Sequence, residues 1–92
     1  MKKTGKIAVT SIQRNRNKYI LEWLAFHMTV GFNHFYIYCH KTTDGMQKTL
    51  LELSKKYPIE IFELEMDDYP QLIAYQHAWE NFGDKVDWMA LS

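Results

Sequence analysis

The sequence predicts a three-layer α/β/α fold, with helices on both faces of a mostly parallel, four-stranded sheet. Short runs rich in β-branched and aromatic residues alternate with segments of helical periodicity along the 92 residues. Glycine or proline stands at most of the boundaries between these segments. Because no internal repeat and no low-complexity linker interrupts the alternation, we expect one domain.

The first strand is predicted at residues 7–12, a short β-branched run that is typical of a buried strand. A helix is predicted at residues 17–30, where Asn15 or Asn17 can supply the N-cap and Gly31 can end the helix. Its apolar residues follow the i, i+1, i+4, i+5, i+8 spacing of a core-facing stripe. The residues of this predicted stripe are Ile20, Leu21, Leu24, Ala25 and Met28.

The second strand is predicted at residues 34–39, and the second helix at residues 44–56 with Thr43 or Asp44 as its N-cap. Pro58 ends this helix, because the residue before a proline is pushed out of the helical region. The predicted core contacts of the helix come from Leu50, Leu51 and Leu53.

The third strand is predicted at residues 59–64, where the alternation is typical of an edge strand with one wet face. Pro70 suits the first turn of a helix at residues 70–82, and Gly83 can end that helix. The fourth strand is predicted at residues 86–91. The expected packing residues of the third helix are Leu72, Ile73, Tyr75, Ala78, Trp79 and Phe82.

The composition is that of a globular protein, with 47% apolar and 15% aromatic residues, which argues against disorder. No apolar run approaches the roughly 18 residues of a membrane span, so we predict no transmembrane segment. The apolar run at residues 7–9 is too short for a signal peptide. The single cysteine, Cys39, fits a reducing compartment. We therefore expect a cytoplasmic location, either in solution or peripheral at the membrane.

The net charge of zero is unevenly distributed along the chain. Residues 1–48 carry eight basic and two acidic side chains, whereas residues 49–92 carry three basic and nine acidic ones. Basic side chains near the ends of the first two strands would suit a phosphate-bearing ligand. Alternatively, the two halves attract each other or are merely solvated.

Several function classes are disfavoured by what the sequence lacks. It has neither a Gly-x-Gly-x-x-Gly fingerprint nor a Walker loop, which argues against a dehydrogenase and a phosphate-loop NTPase. The histidines and Cys39 lack metal-ligand spacing. The adjacent Asp67 and Asp68 follow the third strand and are interpreted as solvated charge at a helix start. Since the aromatic residues fall at core-facing spacings, no nucleic-acid partner is expected.

Two blocks of the sequence resemble a known family. The segments that carry the resemblance are Arg14-Asn15, Glu22-Trp23-Leu24 with His27, Gly31, the aromatic run Phe35-Tyr36-Ile37-Tyr38, Thr43-Asp44-Gly45, Gln71 with Ala74-Tyr75 and His77, and Trp88-Met89-Ala90-Leu91. They resemble the nucleotide-sugar-binding part of glycosyltransferase family 2 and, more closely, family 92. The resemblance covers nearly the whole chain.

The resemblance implies the N-terminal part of a glycosyltransferase A-type, Rossmann-like fold with strand order 3-2-1-4. Residues 1–92 would form a single partial domain, the nucleotide-sugar-binding half. The implied activity of the parent protein is transfer of a sugar from a nucleotide-diphosphate sugar to a glycan or lipid-linked acceptor. A manganese or magnesium ion is implied for the longer parent only, at an Asp-x-Asp motif beyond Ser92. We therefore predict no catalytic or metal-binding residue here, and no sugar transfer by these residues alone.

The predicted nucleotide-sugar-binding residues lie mainly at the carboxyl ends of strands, where ligands of such sheets bind. These residues are Ser11, Arg14, Asn15, His40, Asp44 and Gln71. Asn15 and Asp44 could instead be helix caps. The family's Glu after Arg-Asn is Arg16 here, and its base-contacting Asp is replaced by Cys39, for which His40 is only a partial substitute.

Two alternatives remain open from the sequence. The chain could be a truncated or decayed non-catalytic binding module of the same origin, which the coding sequence after Ser92 would decide. A flavodoxin-like or receiver-like module also fits the alternation, although its acidic pocket is missing. If the fourth strand is uncovered, a partly exposed Trp88 would favour self-association along that edge.

Overall fold

The computed structural model describes residues 5–91 and confirms the α/β fold. Its elements, in chain order, are β1 (Ile7–Gln13), α1 (Ile20–Thr29), β2 (His34–His40), α2 (Met46–Leu53), β3 (Ile59–Leu64), α3 (Pro70–Phe82), a short 3₁₀ helix (Gly83–Lys85) and β4 (Trp88–Leu91). The strands form a parallel sheet in the order β3-β2-β1-β4, as expected. The order reverses between β1 and β4, which places a topological switch point there.

One face of the sheet packs against α1 and α2. Its buried strand residues include Val9, Phe35 and Ile37, and the helices cover them with Ile20 and Leu50 among others. These strand residues alternate along each strand, since successive side chains of a β-strand point to opposite faces. The first core of the domain therefore lies between the sheet and this helix pair.

The opposite face packs against α3 alone, through small side chains. Ala74 and Ala78 are fully buried on the helix. They cover a sheet surface that includes the large rings of Tyr36 and Tyr38. The ring of Tyr36 also stacks on Phe82 at a centroid distance of 4.3 Å. The large tyrosine rings of the sheet fill most of the interface, so small alanine side chains on the helix complete the packing. The helix and the sheet can therefore approach each other closely.

The predicted packing stripe of α3 is confirmed for three of its six residues and wrong for the other three. Leu72, Ile73 and Trp79 are exposed, while Tyr75 and Phe82 are partly buried and Ala78 is buried. The buried centre of this helix face consists instead of Ala74 and Ala78, because the tyrosine rings of the sheet fill the space that larger helix side chains would need.

The stripe of α1 is corrected in the same way. Ile20 and Leu24 are buried, but Leu21 and Ala25 are exposed, and Trp23 and Met28 complete the packed face. Each helical residue is rotated by about 100° from the one before it, so Leu21 turns away from the sheet that Ile20 contacts. On α2, Leu50 is buried and Leu51 is exposed for the same geometric reason.

The start of α1 differs from the prediction, whereas its end agrees. The helix begins at Ile20, and within residues 5–91 no side chain caps its first turn, so Asn15 and Asn17 are not N-caps. At the other end, the Gly31 N–H donates to the Met28 carbonyl at 3.2 Å and the Phe32 N–H donates to the His27 carbonyl at 3.0 Å. These two bonds form a Schellman motif, and Gly31 supplies the positive φ, 114°, that the motif needs.

The remaining boundaries differ by a few residues. α2 begins at Met46 after Gly45, whose φ is 86°, and the Asp44 carboxylate accepts the Met46 N–H at 3.1 Å. This bond resembles the predicted capping by Asp44, although Gly45 occupies the N-cap position. β4 begins at Trp88 rather than at residue 86, because the 3₁₀ helix occupies the connection from α3. Trp88 is 74% exposed, as expected for an edge strand with one uncovered side.

Candidate functional site

Two adjoining open cavities lie at the carboxyl end of β1, and we call them together the β1 cleft. Both are lined by Ile12, Gln13, Arg16 and Gln71. The first, of about 310 Å³, adds Ser11, Tyr19 and Trp23. The second, of about 270 Å³, adds Arg14, His40 and Pro70. The cleft thus lies between the β1–α1 loop, the end of β2 and the first turn of α3.

The β1 cleft is cationic. Arg14 and Arg16 both line it, and within residues 5–91 no aspartate or glutamate does. Tyr19 directly precedes α1, so the positive end of the α1 dipole lies beside the same cavity. The local field therefore favours an anion at the carboxyl edge of the sheet.

Residues with a strained, left-handed backbone lie next to the residues that line the β1 cleft. Among the described residues, the non-glycine residues with positive φ are Asn15 (52°), Lys41 (49°) and Tyr69 (55°). Each is a sequence neighbour of a cleft residue: Asn15 lies between the two arginines, Lys41 follows His40, and Tyr69 precedes Pro70. Side-chain-bearing residues in this conformation cluster at functional sites, where the surrounding structure holds them.

A set of hydrogen bonds joins the β1–α1 loop to the β2–α2 loop, and we call it the interloop clamp. It consists of Asn15, Asn17, Thr42, Thr43 and Asp44. The Asn15 Oδ1 accepts the Thr43 N–H at 2.7 Å, and the Asn15 N–H donates to the Thr42 hydroxyl at 3.4 Å. The Asp44 carboxylate accepts the Asn17 N–H at 2.9 Å, and the Asn17 amide donates to the Asp44 carbonyl at 3.2 Å. The two loops are therefore held together in both directions.

The structure divides the six residues that the sequence predicts for nucleotide-sugar binding into two groups. Ser11, Arg14, His40 and Gln71 line the β1 cleft. Asn15 and Asp44 belong to the interloop clamp and do not line the cleft. Whether any of the six contacts a ligand stays a prediction.

Two of the cleft residues already have protein partners. The Ser11 hydroxyl accepts the Gln13 side-chain amide at 3.1 Å. The His40 Nε2 lies 2.7 Å from the Met66 carbonyl, so it carries the proton and donates. In the neutral ring this tautomer leaves Nδ1 as the acceptor. Both contacts fix the orientation of side chains at the edge of the cleft.

Sequence reasoning missed six lining residues: Ile12, Gln13, Arg16, Tyr19, Trp23 and Pro70. Gln13 ends β1, and Arg16 follows within the basic loop, so both positions carried a signal. Tyr19 and Trp23 are four residues apart and therefore share one face at the start of α1. Trp23 also packs edge-on against Phe35, with 6.2 Å between the ring centroids.

Cys39, which stands where the family has an acidic residue, belongs to the core. Its side chain is 1% exposed and packs on the α1 and α2 side of the sheet. Burial, followed by the charges of Glu63 and Asp44, raises the pKa of Cys39 to about 11. The thiol therefore stays neutral at physiological pH and lies outside the lining of the β1 cleft.

The two histidines of the family-like segments stabilise the fold. The His27 Nδ1 bonds the Trp23 carbonyl at 2.8 Å, and its ring lies against Trp23 at a centroid distance of 4.1 Å. The His77 Nδ1 lies 2.5 Å from the Tyr38 hydroxyl. Burial raises the pKa of Tyr38 to about 12, so the phenol keeps its proton and donates to His77, which ties α3 to β2.

In the part of the chain that the structure describes, no three histidine, cysteine, aspartate or glutamate side chains are grouped so that they could hold a metal ion. The adjacent Asp67 and Asp68 fit the interpretation as surface charge. Asp67 forms an ion pair with Lys41 and is largely exposed. The pair thereby fastens the β2–α2 loop to the segment before α3.

The parallel strand order and the cation-lined cleft at the switch point define a Rossmann-like α/β protein. The family model for glycosyltransferase family 92 matches residues 7–92. The chain belongs to glycosyltransferase family 92, and the resemblance predicted from the sequence is confirmed. The family makes it a glycosyltransferase chain, with a sugar donor and an acceptor as substrates. No curated protein and no solved structure matches it.

The helices within residues 5–91 are too short or too polar to cross a membrane.

Proposed function

We propose that the β1 cleft binds the diphosphate of a nucleotide-diphosphate sugar, whose sugar is transferred to a glycan or lipid-linked acceptor. The observation that carries the proposal is the pairing of Arg14 and Arg16 in one cavity without a lining carboxylate. The cavity lies at the carboxyl ends of the strands, next to the switch point, in a chain of a glycosyltransferase family.

The arginines suit a diphosphate better than lysines would. A guanidinium presents several N–H donors in a planar fork, which matches two oxygens of one phosphate group. With two such groups, Arg14 and Arg16 would offset the charge of both phosphates. The side-chain amides of Gln13 and Gln71 add neutral donors and acceptors on the same lining.

An aromatic surface at the other end of the cleft suits a nucleobase. Tyr19 is 53% exposed there, and Trp23 lines the same cavity. Each base presents an apolar face that stacks on such rings without regard to its hydrogen-bonding edge. We therefore propose base stacking on Tyr19 and Trp23, and we assign no preference between uridine and guanosine.

A bound manganese or magnesium ion, which the family resemblance implies, stays a proposal. The side chains of residues 5–91 do not fit a divalent cation, since they form no group of three ligands. The charge compensation that these residues can supply comes from Arg14 and Arg16.

Isothermal titration with uridine diphosphate and guanosine diphosphate tests the proposal. Arg14→Ala should raise the Kd about tenfold or more, since it removes a hydrogen-bond donor that is also charged. Lys56→Ala is the matched control, because Lys56 is an exposed cation between α2 and β3, at the opposite edge of the sheet. An equal loss from both variants would place the diphosphate elsewhere.

A further inference from the structure

Asn15 separates the two arginines of the β1 cleft, but its own side chain is directed to the neighbouring loop. Arg14 and Arg16 both line the cleft, whereas Asn15 does not. The Asn15 side chain instead accepts the Thr43 N–H at 2.7 Å. The backbone of Asn15 is left-handed, with φ 52°.

The left-handed turn explains how both arginines reach one cavity. In an extended chain, residues i and i+2 point to the same side, but they lie along a line of strand. At Asn15 a left-handed residue turns the chain instead, and Arg14 and Arg16, on either side of this turn, line one cavity. The arginine pair therefore depends on the conformation of Asn15.

We propose that Asn15 is a positioning residue, which holds Arg14 and Arg16 in the β1 cleft by fastening their loop to the β2–α2 loop. This inference rests on the proposed diphosphate binding by the cleft. It assigns Asn15 a role different from the direct ligand contact that the sequence suggested. Asn15 acts on the ligand only through the two arginines.

The residue type fits this role. Asparagine tolerates the left-handed conformation better than most side-chain-bearing residues. Its carbonyl oxygen accepts the Thr43 N–H, while its backbone N–H donates to Thr42. Alanine would disfavour the left-handed conformation, and its side chain has no oxygen to accept the Thr43 N–H. Glycine permits the same backbone conformation and loses the side-chain bonds from the Thr43 N–H and hydroxyl.

The receiving loop is itself fixed. Thr42 is 9% exposed, and its carbonyl accepts the Gln47 side-chain amide at 3.0 Å. A second tie runs between Asn17 and Asp44. The loop that receives the Asn15 side chain therefore has hydrogen bonds of its own that hold it in place.

Two variants separate positioning from contact. Asn15→Gly keeps the left-handed backbone and removes the bond to Thr43; the Kd for uridine diphosphate should rise about fivefold, as for one lost hydrogen bond. Thr42→Val removes the hydroxyl that accepts the Asn15 N–H, and Thr42 does not line the cleft. It should raise the Kd about twofold to threefold, in the same direction.

A double-mutant cycle provides the decisive readout. If Asn15 acts through the arginines, the Asn15→Gly and Arg14→Ala effects on Kd should be clearly less than additive. Binding to Asn15→Gly should also depend less on salt than wild-type binding, because fewer charges face the ligand. A loss of stability alone would move the melting temperature and leave both readouts unchanged.

The outcomes distinguish this inference from the function on which it rests. If the wild type binds and Arg14→Ala weakens binding, but Asn15→Gly and Thr42→Val do not, the positioning role is wrong and the cleft stands. Full additivity of Asn15→Gly with Arg14→Ala, together with no effect of Thr42→Val, would also overturn it in favour of direct contact. If Arg14→Ala has no effect, the proposed diphosphate site itself fails.

Discussion

At the amino edge of the sheet, hydrogen bonds fasten the segments that lead into the strands, whereas at the carboxyl edge they fasten loops beside a cavity. The Asn33 side chain accepts the Ile7 N–H at 2.7 Å and donates to the Gly5 carbonyl at 2.9 Å. The Asp87 N–H donates to the Lys6 carbonyl at 2.8 Å. These bonds align β1 with β2 and β4, and they serve the sheet itself.

The two edges also differ in which residues take positive φ. At the amino edge the residues are Gly5 and Gly31, for which this conformation has no steric cost. At the carboxyl edge Gly45 also has a positive φ, but so do three residues with side chains, Asn15, Lys41 and Tyr69, at a cost of about 1 kcal/mol or more each. The carboxyl edge thus keeps side chains where glycine would be less strained. The difference indicates that its side chains serve more than chain reversal.

The largest expected difference between the edges is in ligand binding after charge reversal. Arg14→Glu should weaken binding of uridine diphosphate by about 100-fold or more, because it places an anion opposite the phosphates. Lys56→Glu makes the same charge change at the amino edge and should leave the Kd within about twofold, since screening weakens distant exposed charges. Isothermal titration of both variants at one ionic strength measures the contrast.

Arg14 and Lys56 are both exposed. Neither Arg14→Glu nor Lys56→Glu should therefore change the free energy of unfolding by more than about 0.5 kcal/mol. If Lys56→Glu weakened binding as strongly as Arg14→Glu, net charge rather than the β1 cleft would govern the affinity. The assignment of function to the carboxyl edge would then fail.

Asn33→Ala should show the opposite pattern, with loss of stability and no loss of binding. It removes two hydrogen bonds that align β1 and β2, and we expect a cost of about 1–2 kcal/mol. Urea denaturation followed by circular dichroism measures this loss. A Kd that rises as much as in Asn15→Gly would show that the two edges are not functionally distinct.

Much of the fold was predictable, because proline and glycine residues mark the ends of helices and strands locally in the sequence. Pro70 and the glycine at residue 83 bracket α3, and the predicted range 70–82 agrees with the structure. Pro58 likewise fixed the start of β3, and 59–64 agrees as well. The buried faces of the helices were less predictable, since the alanine face of α3 depends on the tyrosine rings across the interface.

The candidate site was predictable in part for a similar reason. Arg14 follows directly from its place after a strand. The roles of Asn15 and Asp44 could not be read locally, because their partners Thr43 and Asn17 lie 28 and 27 residues away in the chain. Only the parallel pairing of β1 with β2 brings those loops together.

Substitutions at two positive-φ positions, Gly31 at the amino edge and Lys41 at the carboxyl edge, should have smaller effects, and these concern the free energy of unfolding. Gly31→Ala should cost about 1 kcal/mol through the backbone alone, since an added Cβ at Gly31 meets no atom within 4 Å. Lys41→Gly relieves its left-handed conformation but loses a surface ion pair with Asp67, so we expect a net change below about 0.5 kcal/mol. Chemical denaturation of both variants measures the pair. A larger cost for Lys41→Gly would contradict this comparison.

The last expected effect is confined to alkaline pH and concerns Cys39, which lies at the carboxyl end of β2 yet belongs to the core. Its pKa is raised from 9.0 to about 11 in the folded state, so the native protein holds the proton more tightly than the unfolded chain. This contribution to stability is complete below about pH 9 and is lost as pH rises towards 11. Cys39→Ala should make the unfolding free energy fall less steeply across that window. An unchanged slope would show that the thiol is solvated.

Amide chemical-shift mapping during titration with uridine diphosphate tests the central claim most directly, because it compares both edges in one sample. We predict the largest shifts in residues 13–19, with further shifts at His40 and in the first turn of α3, and little change at residues 31–33, 56–58 and 85–87. The largest shifts at those amino-edge residues, with none in residues 13–19, would contradict a diphosphate site in the β1 cleft.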